Sequence, residues 1–254
     1  EATSGSGTKT YTTVTAANGN ISVTATQGDI VLGALTASAT ASKSISVTAT
    51  AGAISDEGGA DDNTADIVAD SATLSAFSGI GQGSAGSIDV NVNTLTSASS
   101  STSGVAVNLL GAASGAALTL DHAVTVTSAT ATVSGDITFT STSGSGTKTF
   151  TTVTAANGII DISAVSGNIT AQGISTSATA GKTITITVSQ TDGLLTHSTG
   201  AIETNGGLIR LSADNMTLSG GTITSNVSSG AADGRLRPTD AAQNIQIGAG
   251  ATDS

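Results

Sequence analysis

The densest group of chemically capable side chains lies in Ser55–Asp66, SDEGGADDNTAD, where Asp56, Glu57, Asp61, Asp62, Asn63 and Asp66 fall close together. Carboxylate and amide oxygens at this density suit a hard cation such as Ca2+, which prefers an all-oxygen shell. Asp56, Glu57, Asp61, Asp62 and Asp66 are therefore candidate calcium ligands, and no other cofactor is expected. The stretch matches neither the EF-hand loop nor the Gly-Gly-x-Gly-x-Asp roll, so a solvated acidic loop is the competing reading. His122 and His197 are the only imidazoles. To act as general bases they would need a Ser and an Asp brought to them from elsewhere in the chain. Each is expected at a strand end, solvated or satisfying a turn, and no catalytic residue is assigned. Thr-x-Thr pairs (Thr24/Thr26, Thr48/Thr50, Thr125/Thr127, Thr138/Thr140, Thr185/Thr187) raise an ice-binding surface, which needs a flat, regular array. The unequal spacing of the pairs predicts that they fall out of register.

The elements that must hold these residues follow from composition. The 254 residues contain 36 Ser, 45 Thr and 32 Gly, but no Trp, one Tyr, three Phe, one Met and one Pro. Without aromatics a thick three-dimensional core is hard to fill. Ala, Val, Ile and Leu suit a thin layered interior, and branched Thr, Val and Ile favour pleated strands. Charged residues make up only 10%, too few for the polar faces of surface helices. An all-β chain is expected. Regular apolar alternation and a mean hydropathy of +0.22 argue against disorder.

A net charge of −11 with seven basic residues speaks against nucleic-acid binding, which needs clustered Lys and Arg. No run of 18 apolar residues is present, so no membrane span is expected. No Cys is present, so stability must come from strand pairing and burial.

Strand-like segments begin at Ile21, Ile45, Ile67, Ile88, Leu118, Ile137, Ile160, Ile184 and Leu208, at steps of 24, 22, 21, 30, 19, 23, 24 and 24 residues. Within them apolar and small polar residues alternate, the mark of a strand with one buried face. A β-sandwich would want turns every 8–12 residues and a thicker core. A parallel β-helix with coils of about 19–24 residues fits the spacing and the thin-core composition better. Gly-x-Ile steps at Gly52, Gly86, Gly135 and Gly200 are expected at its corners. Thr96–Gly104 is expected to be a lateral excursion, and Gly230–Asn244 a protruding loop or the edge of a new module.

The chain also repeats itself. Thr3–Gly19, TSGSGTKTYTTVTAANG, recurs at Thr142–Gly158 with only Tyr11 changed to Phe150. Thr3–Thr48 and Thr142–Thr187 share 27 of 46 positions without a gap. The 139-residue period divides residues 1–254 into one long repeat, 3–141, and an incomplete second, 142–254. This is the signature of a single β-helix array, with about six coils per repeat. Lys9, Lys43, Lys148 and Lys182 occupy matching positions of the two copies. A β-helix polysaccharide lyase or hydrolase gathers acids, often with a Lys or Arg, on one face of adjacent coils. Residues copied in step read instead as scaffold, with the Lys of the signature exposed and its aromatic turned to the core.

Ala69-Asp-Ser-Ala-Thr-Leu-Ser-Ala-Phe-Ser-Gly-Ile-Gly81, Ile88-Asp-Val-Asn-Val-Asn-Thr-Leu95, Ala213-Asp-Asn-Met-Thr-Leu218 and the Gly-Asp-Ile and Gly-Asn-Ile steps together resemble filamentous-haemagglutinin-type repeat proteins of bacteria. The resemblance implies a right-handed parallel β-helix in a very large exported surface protein. It also implies an extracellular or cell-surface location and a non-enzymatic role as the shaft of an adhesin, sheath or filament. Its partners would be further copies of itself, or carbohydrate and cell surfaces. A carbohydrate-binding or polysaccharide-cleaving β-helix is the alternative, and an ice-binding module a further one.

Overall fold

The computed structural model describes residues 5–37, 42–58, 64–81, 86–110, 123–225, 234–237 and 246–247. These contain 22 strands and no helix. Every strand pairing is parallel, and together they close a β-solenoid of about eight turns.

Two ladders of stacked strands carry the fold. The first runs through β1 (Lys9–Ala16), β3 (Ile30–Ala37), β5 (Ala53–Asp56), β7 (Gly79–Ile80), β9 (Val105–Leu109), β11 (Ile137–Ser141), β13 (Ile160–Ala164), β15 (Ile184–Val188), β18 (Ile209–Ser212) and β21 (Gly234–Arg237). The second runs through β2 (Ile21–Ala25), β4 (Ser44–Ala49), β6 (Ile67–Ala76), β8 (Ile88–Ser100), β10 (Val124–Ala131), β12 (Lys148–Ala155) and β14 (Ile169–Ala180). It then divides into β16 (Leu194–His197) with β19 (Asn215–Leu218) and β22 (Gln246–Ile247), and β17 (Ala201–Asn205) with β20 (Thr222–Ser225).

The expected one-sided burial holds along most strands. In β13 and β15, Ile160, Ile162, Ile184, Ile186 and Val188 are fully buried and stack rung on rung. One apolar cluster continues from Ile21 to Met216. Each fully buried Ile or Val contributes about 1.5–3 kcal/mol, so the interior is a stack of thin layers that substitutes for a thick core.

The Gly-[Asp/Asn]-Ile steps carry a clamp between coils. Asp29 Oδ1 accepts from the Ala53 N–H at 2.8 Å, Asp136 Oδ1 from Ile159 at 2.9 Å, and Asn168 Oδ1 from Leu194 at 2.9 Å. Each side chain thus satisfies a corner N–H of the next coil, where the strand ladder has not yet begun. Glycine is required beside it because the corners nest. A Cβ on Gly52 would collide with the Gly28 carbonyl, and Gly28 itself has φ +76°.

The repeat is out of phase with the coil. From Lys9 the first ladder steps through Ile30, Ile54, Ile80, Val105 and Ile137 to Ile160. That is five steps to Ile137 and six to Ile160, with Lys148 between them on the second ladder. The period is therefore about five and a half coils, where division of the length suggested six. β1 and its copy β12 consequently lie on opposite ladders, as do β2 and β13.

Two expected loops contain strand. Thr96–Ser100 is the end of β8, with Ala98 buried and the pairing shifted by one residue at Thr96 (Ala72 faces Leu95, Thr73 faces Ser97). Its low-complexity Ser/Ala texture conceals an alternation in which Ala98 and Ser100 are buried and Ser97 and Ser99 lie further out. Gly234–Arg237 adds a rung to the first ladder, Arg210 facing Arg235, and the rest of Gly230–Asn244 lies outside the described residues. So does the strand expected at Leu118. The strand expected to start at Leu208 begins at Ile209.

Candidate functional site

The acidic stretch leaves the solenoid where a long strand bends. In β3, Leu32 and Leu35 are three residues apart. Their partners on the next coil, Asp56 and Ile67, are eleven apart. Beside the bend at Gly33 lies a cavity of about 250 Å³ lined by Thr12, Gly33, Asp56, Glu57, Thr64 and Asp66, among others. The Thr12 hydroxyl donates to Glu57 Oε1 at 3.0 Å, and the Gly58 N–H donates to Asp56 Oδ1 at 2.8 Å. A side chain on Gly33 would strike both the Thr12 carbonyl and the Glu57 carboxylate, so the glycine keeps the pocket open.

Asp66 repeats the clamp of the corner residues, but in a buried place. Its Oδ2 accepts from the Asp89 N–H at 2.8 Å, and its own N–H donates to the Asp89 carbonyl at 2.9 Å. Only 5% of Asp66 is exposed. Burial raises its pKa from 3.8 to about 9. The Asp89 N–H opposes the rise, and the carboxylates of Asp56 and Asp89 add to it. At neutral pH Asp66 is thus protonated, and it shares a hydrogen bond with Asp56. Burial also raises the pKa of Asp161 on β13.

Asp56, Glu57 and Asp66 therefore share one pocket, while Asp61, Asp62 and Asn63 lie outside the described residues. Among the described residues no three His, Asp or Glu side chains are gathered to hold a metal ion. The arrangement explains why: Glu57 is engaged by Thr12, and Asp66 carries a proton that a cation would have to displace. Acids from two neighbouring coils meet here, Asp56 and Asp66 with Asp89.

The burial of Asp66 and Asp89 has no signal in simple alternation. Ile88–Val92 reads as one face in and one face out, yet all five residues are buried. Asn91 is 0% exposed, and neither polar atom of its amide has a hydrogen-bond partner.

His197 is buried too, at 1% exposure. Its Nδ1 lies 2.8 Å from the Ala171 carbonyl and its Nε2 3.2 Å from that of Thr222. The ring therefore bridges backbone of the neighbouring coils from the end of β16; of the two expectations, a solvated ring and one that satisfies backbone groups, the first fails. His122 lies outside the described residues.

The Lys of the duplicated signature is a scaffold element in both copies. Lys9 Nζ donates to the carbonyls of Gly5, Gly7 and Gln27 at 2.6–2.7 Å. Lys148 Nζ donates to the equivalent carbonyls of Gly144, Gly146 and Ser166 at 2.5–3.3 Å. Lys148 is fully buried, where an exposed Lys was expected. Its ammonium closes the turn that precedes the strand.

A second surface feature emerges only from the register. On the outer face of the second ladder Thr24, Thr48, Ser75, Ser99, Thr130, Thr154 and Ser175 align on successive rungs. Ser44, Ser71, Thr94, Thr125, Thr149, Thr170, Thr196 and Thr217 form another file. Between β2 and β12 these files carry no charge. The expectation that unequal spacing would scatter the hydroxyls fails, because extra residues are absorbed in corners and loops. Of the Thr-x-Thr pairs, Thr138/Thr140 and Thr185/Thr187 belong to the first ladder, where Asp161 interrupts them.

Among the described residues no helix is long and apolar enough to cross a membrane. Comparison with protein-family models, with curated proteins and with solved structures finds no match.

Proposed function

We propose that the chain is a shaft segment of a large exported surface protein, filament or sheath, with a mechanical and adhesive role and no catalysis of its own. One observation carries this reading: a single apolar core continues through all the coils from Ile21 to Met216. Each coil rests on its neighbours through backbone hydrogen bonds and stacked Ile, Val and Ala, so bending the rod requires many contacts to open at once. The acidic pocket and the hydroxyl files are then lateral features displayed by a stiff support. The filamentous-haemagglutinin resemblance of the repeat texture points the same way, towards an extracellular or cell-surface location and self-association or carbohydrate contact. Small-angle scattering and electron microscopy test it. An elongated particle is expected, and a compact isotropic one would remove the reading.

A second reading rests on the aligned hydroxyls. Uncharged donors and acceptors repeating at the strand spacing, about 4.8 Å, suit a flat repetitive ligand such as ice or a crystalline polysaccharide. Thermal hysteresis and co-sedimentation with insoluble polysaccharide decide it, and absence of both sinks it.

A further inference from the structure

We propose that the outer face of segments 46–50, 73–77, 97–101, 128–132 and 152–156 binds the flat face of a crystalline, uncharged polysaccharide, with Phe77 stacked on one of its sugar rings. The inference names the occupant of the aligned hydroxyls and rests on that second reading.

The five segments lie on β4, β6, β8, β10 and β12, interior rungs that are each paired on both sides. They stand in register, Thr48 facing Ser75, Ser75 facing Ser99, Ser99 facing Thr130 and Thr130 facing Thr154. On every one the second and fourth residues are buried and the first, third and fifth are not. Period two is unbroken, so each segment is a straight strand and together they make a flat patch. Five rungs span about 20 Å along the rod, and four residue steps about 13 Å across it.

Thirteen of the fifteen outward residues are Ser or Thr, and the other two are Phe77 and Ala156. In a chain of net charge −11 this patch carries no charged side chain. The matching face of the first ladder is different, with Asp161 facing Thr138 and Thr185, and Arg210 facing Thr185. A face without charge offers no counter-ion to an anionic glycan, a nucleic acid or a charged membrane, and suits a neutral partner. Each hydroxyl donates and accepts, so rows of them match a lattice that itself presents hydroxyls at regular intervals.

Phe77 separates a sugar lattice from ice. The backbone ladder runs one residue past the strand ends: the Thr50 N–H donates to the Ala25 carbonyl, that of Phe77 to Ala49, that of Ser101 to Ala76 and that of Thr132 to Ser100. Phe77 therefore occupies a rung position of the patch, between Thr50 and Ser101. It is 46% exposed, whereas Phe139 and Phe150 are buried and Tyr11 is partly buried. An aromatic ring in water among hydroxyls matches the two chemistries of a pyranose, the ring covering its C–H face and the hydroxyls meeting its rim. Ice has no apolar face for such a ring to cover.

The test measures retention of the whole chain on microcrystalline cellulose and on crystalline chitin, with thermal hysteresis and sedimentation velocity on the same samples. Retention on at least one of the two solids is expected. Phe77→Ala should weaken it about tenfold, and Phe77→Tyr, which keeps the ring, should preserve it. The Thr48→Glu/Ser99→Glu pair should abolish retention, while Thr140→Glu/Thr187→Glu, with the same added charge on the other ladder, should leave it unchanged. Strand circular dichroism confirms that each variant is folded. Retention indifferent to Phe77→Ala and to the Thr48/Ser99 pair overturns the proposal. Thermal hysteresis without retention on either solid also overturns it but leaves the aligned hydroxyls as an ice surface, and absence of both effects removes that second reading as well. Concentration-dependent self-association that the Thr48/Ser99 pair abolishes, in a chain neither solid retains, would make a second copy the occupant and overturn it too.

Discussion

β1 and β12 share Lys-Thr-aromatic-Thr-Thr-Val-Thr-Ala and differ in what lies beside them. In β12 the neighbouring coil seals Lys148, Phe150 and Val153 from water, whereas in β1 the equivalent Lys9, Tyr11 and Val14 are only partly covered. The lysine makes the same three carbonyl hydrogen bonds in both places. Local sequence therefore dictates the cradle, and the neighbouring coil dictates what the cradle is worth. Burial of an ammonium is tolerable only because its donors are used.

The largest expected asymmetry lies in the lysines. Lys148→Ala strands three carbonyls in a buried corner and should cost about 3–5 kcal/mol in urea unfolding. Lys9→Ala leaves the same carbonyls open to water and should cost under about 1 kcal/mol. Equal losses would mean that burial is not what separates the two sites.

The aromatics should follow. Phe150 packs edge-on against Phe139 across the core, ring centroids 5.2 Å apart. Phe150→Ala should cost about 3–5 kcal/mol, part of it the loss of this ring pair. For Tyr11→Ala, with the ring only partly buried, about 1–2 kcal/mol is expected. A Tyr11→Ala loss as large as that of Phe150→Ala would show that β1 is already covered.

Much of this architecture is legible in the residues, and the reason for the exceptions is physical. Strands starting with Ile, such as those at Ile21, Ile45 and Ile160, declare themselves because a bulky branched residue alternates with small polar ones. β1 and β12 do not. Their inward positions are Lys9, Tyr11, Val14 and Ala16 and the equivalents in the copy, with a three-residue step at the bend between aromatic and Val. That step breaks period two, and an inward Lys contradicts any polarity rule. The half-coil offset escapes for a related reason, since corners and insertions alter coil length without altering the rungs. At the acidic stretch the oxygen ligands are plain in the sequence. Nothing local shows that Asp66 is buried against the Asp89 backbone one coil away.

Asp66 extends the comparison to the other clamps, Asp29 and Asp136, which make the same kind of bond at exposed corners. Because its folded pKa, about 9, lies above the unfolded 3.8, folding binds a proton between these values. The contribution to stability is complete below pH 4 and is lost as pH rises towards 9, at up to about 1.4 kcal/mol per pH unit. Asp161 adds a change of the same sign. Asp66→Asn should flatten the decline between pH 5 and pH 8 and stabilise the chain at pH 8. Identical pH profiles for variant and parent would contradict the buried, protonated carboxyl.

The smallest effect expected is that of calcium. If Asp56, Glu57, Asp61, Asp62 and Asp66 bind Ca2+, the cation must displace the Asp66 proton. The Tm should then rise with Ca2+ at pH 8 more than at pH 5, and chelator should reverse it. A Tm indifferent to both at low ionic strength removes calcium from the account.

The offset between repeat and coil is tested most directly by disulfide trapping in this cysteine-free chain. Thr125 and Thr149 face each other on adjacent rungs of the second ladder, at a strand separation a disulfide can bridge. Thr138 lies on the other ladder. Oxidation of the Thr125→Cys/Thr149→Cys pair should cross-link fully while the Thr138→Cys/Thr149→Cys pair stays reduced. The reverse pattern would place β12 on the first ladder, with six whole coils to the repeat, and contradict the account.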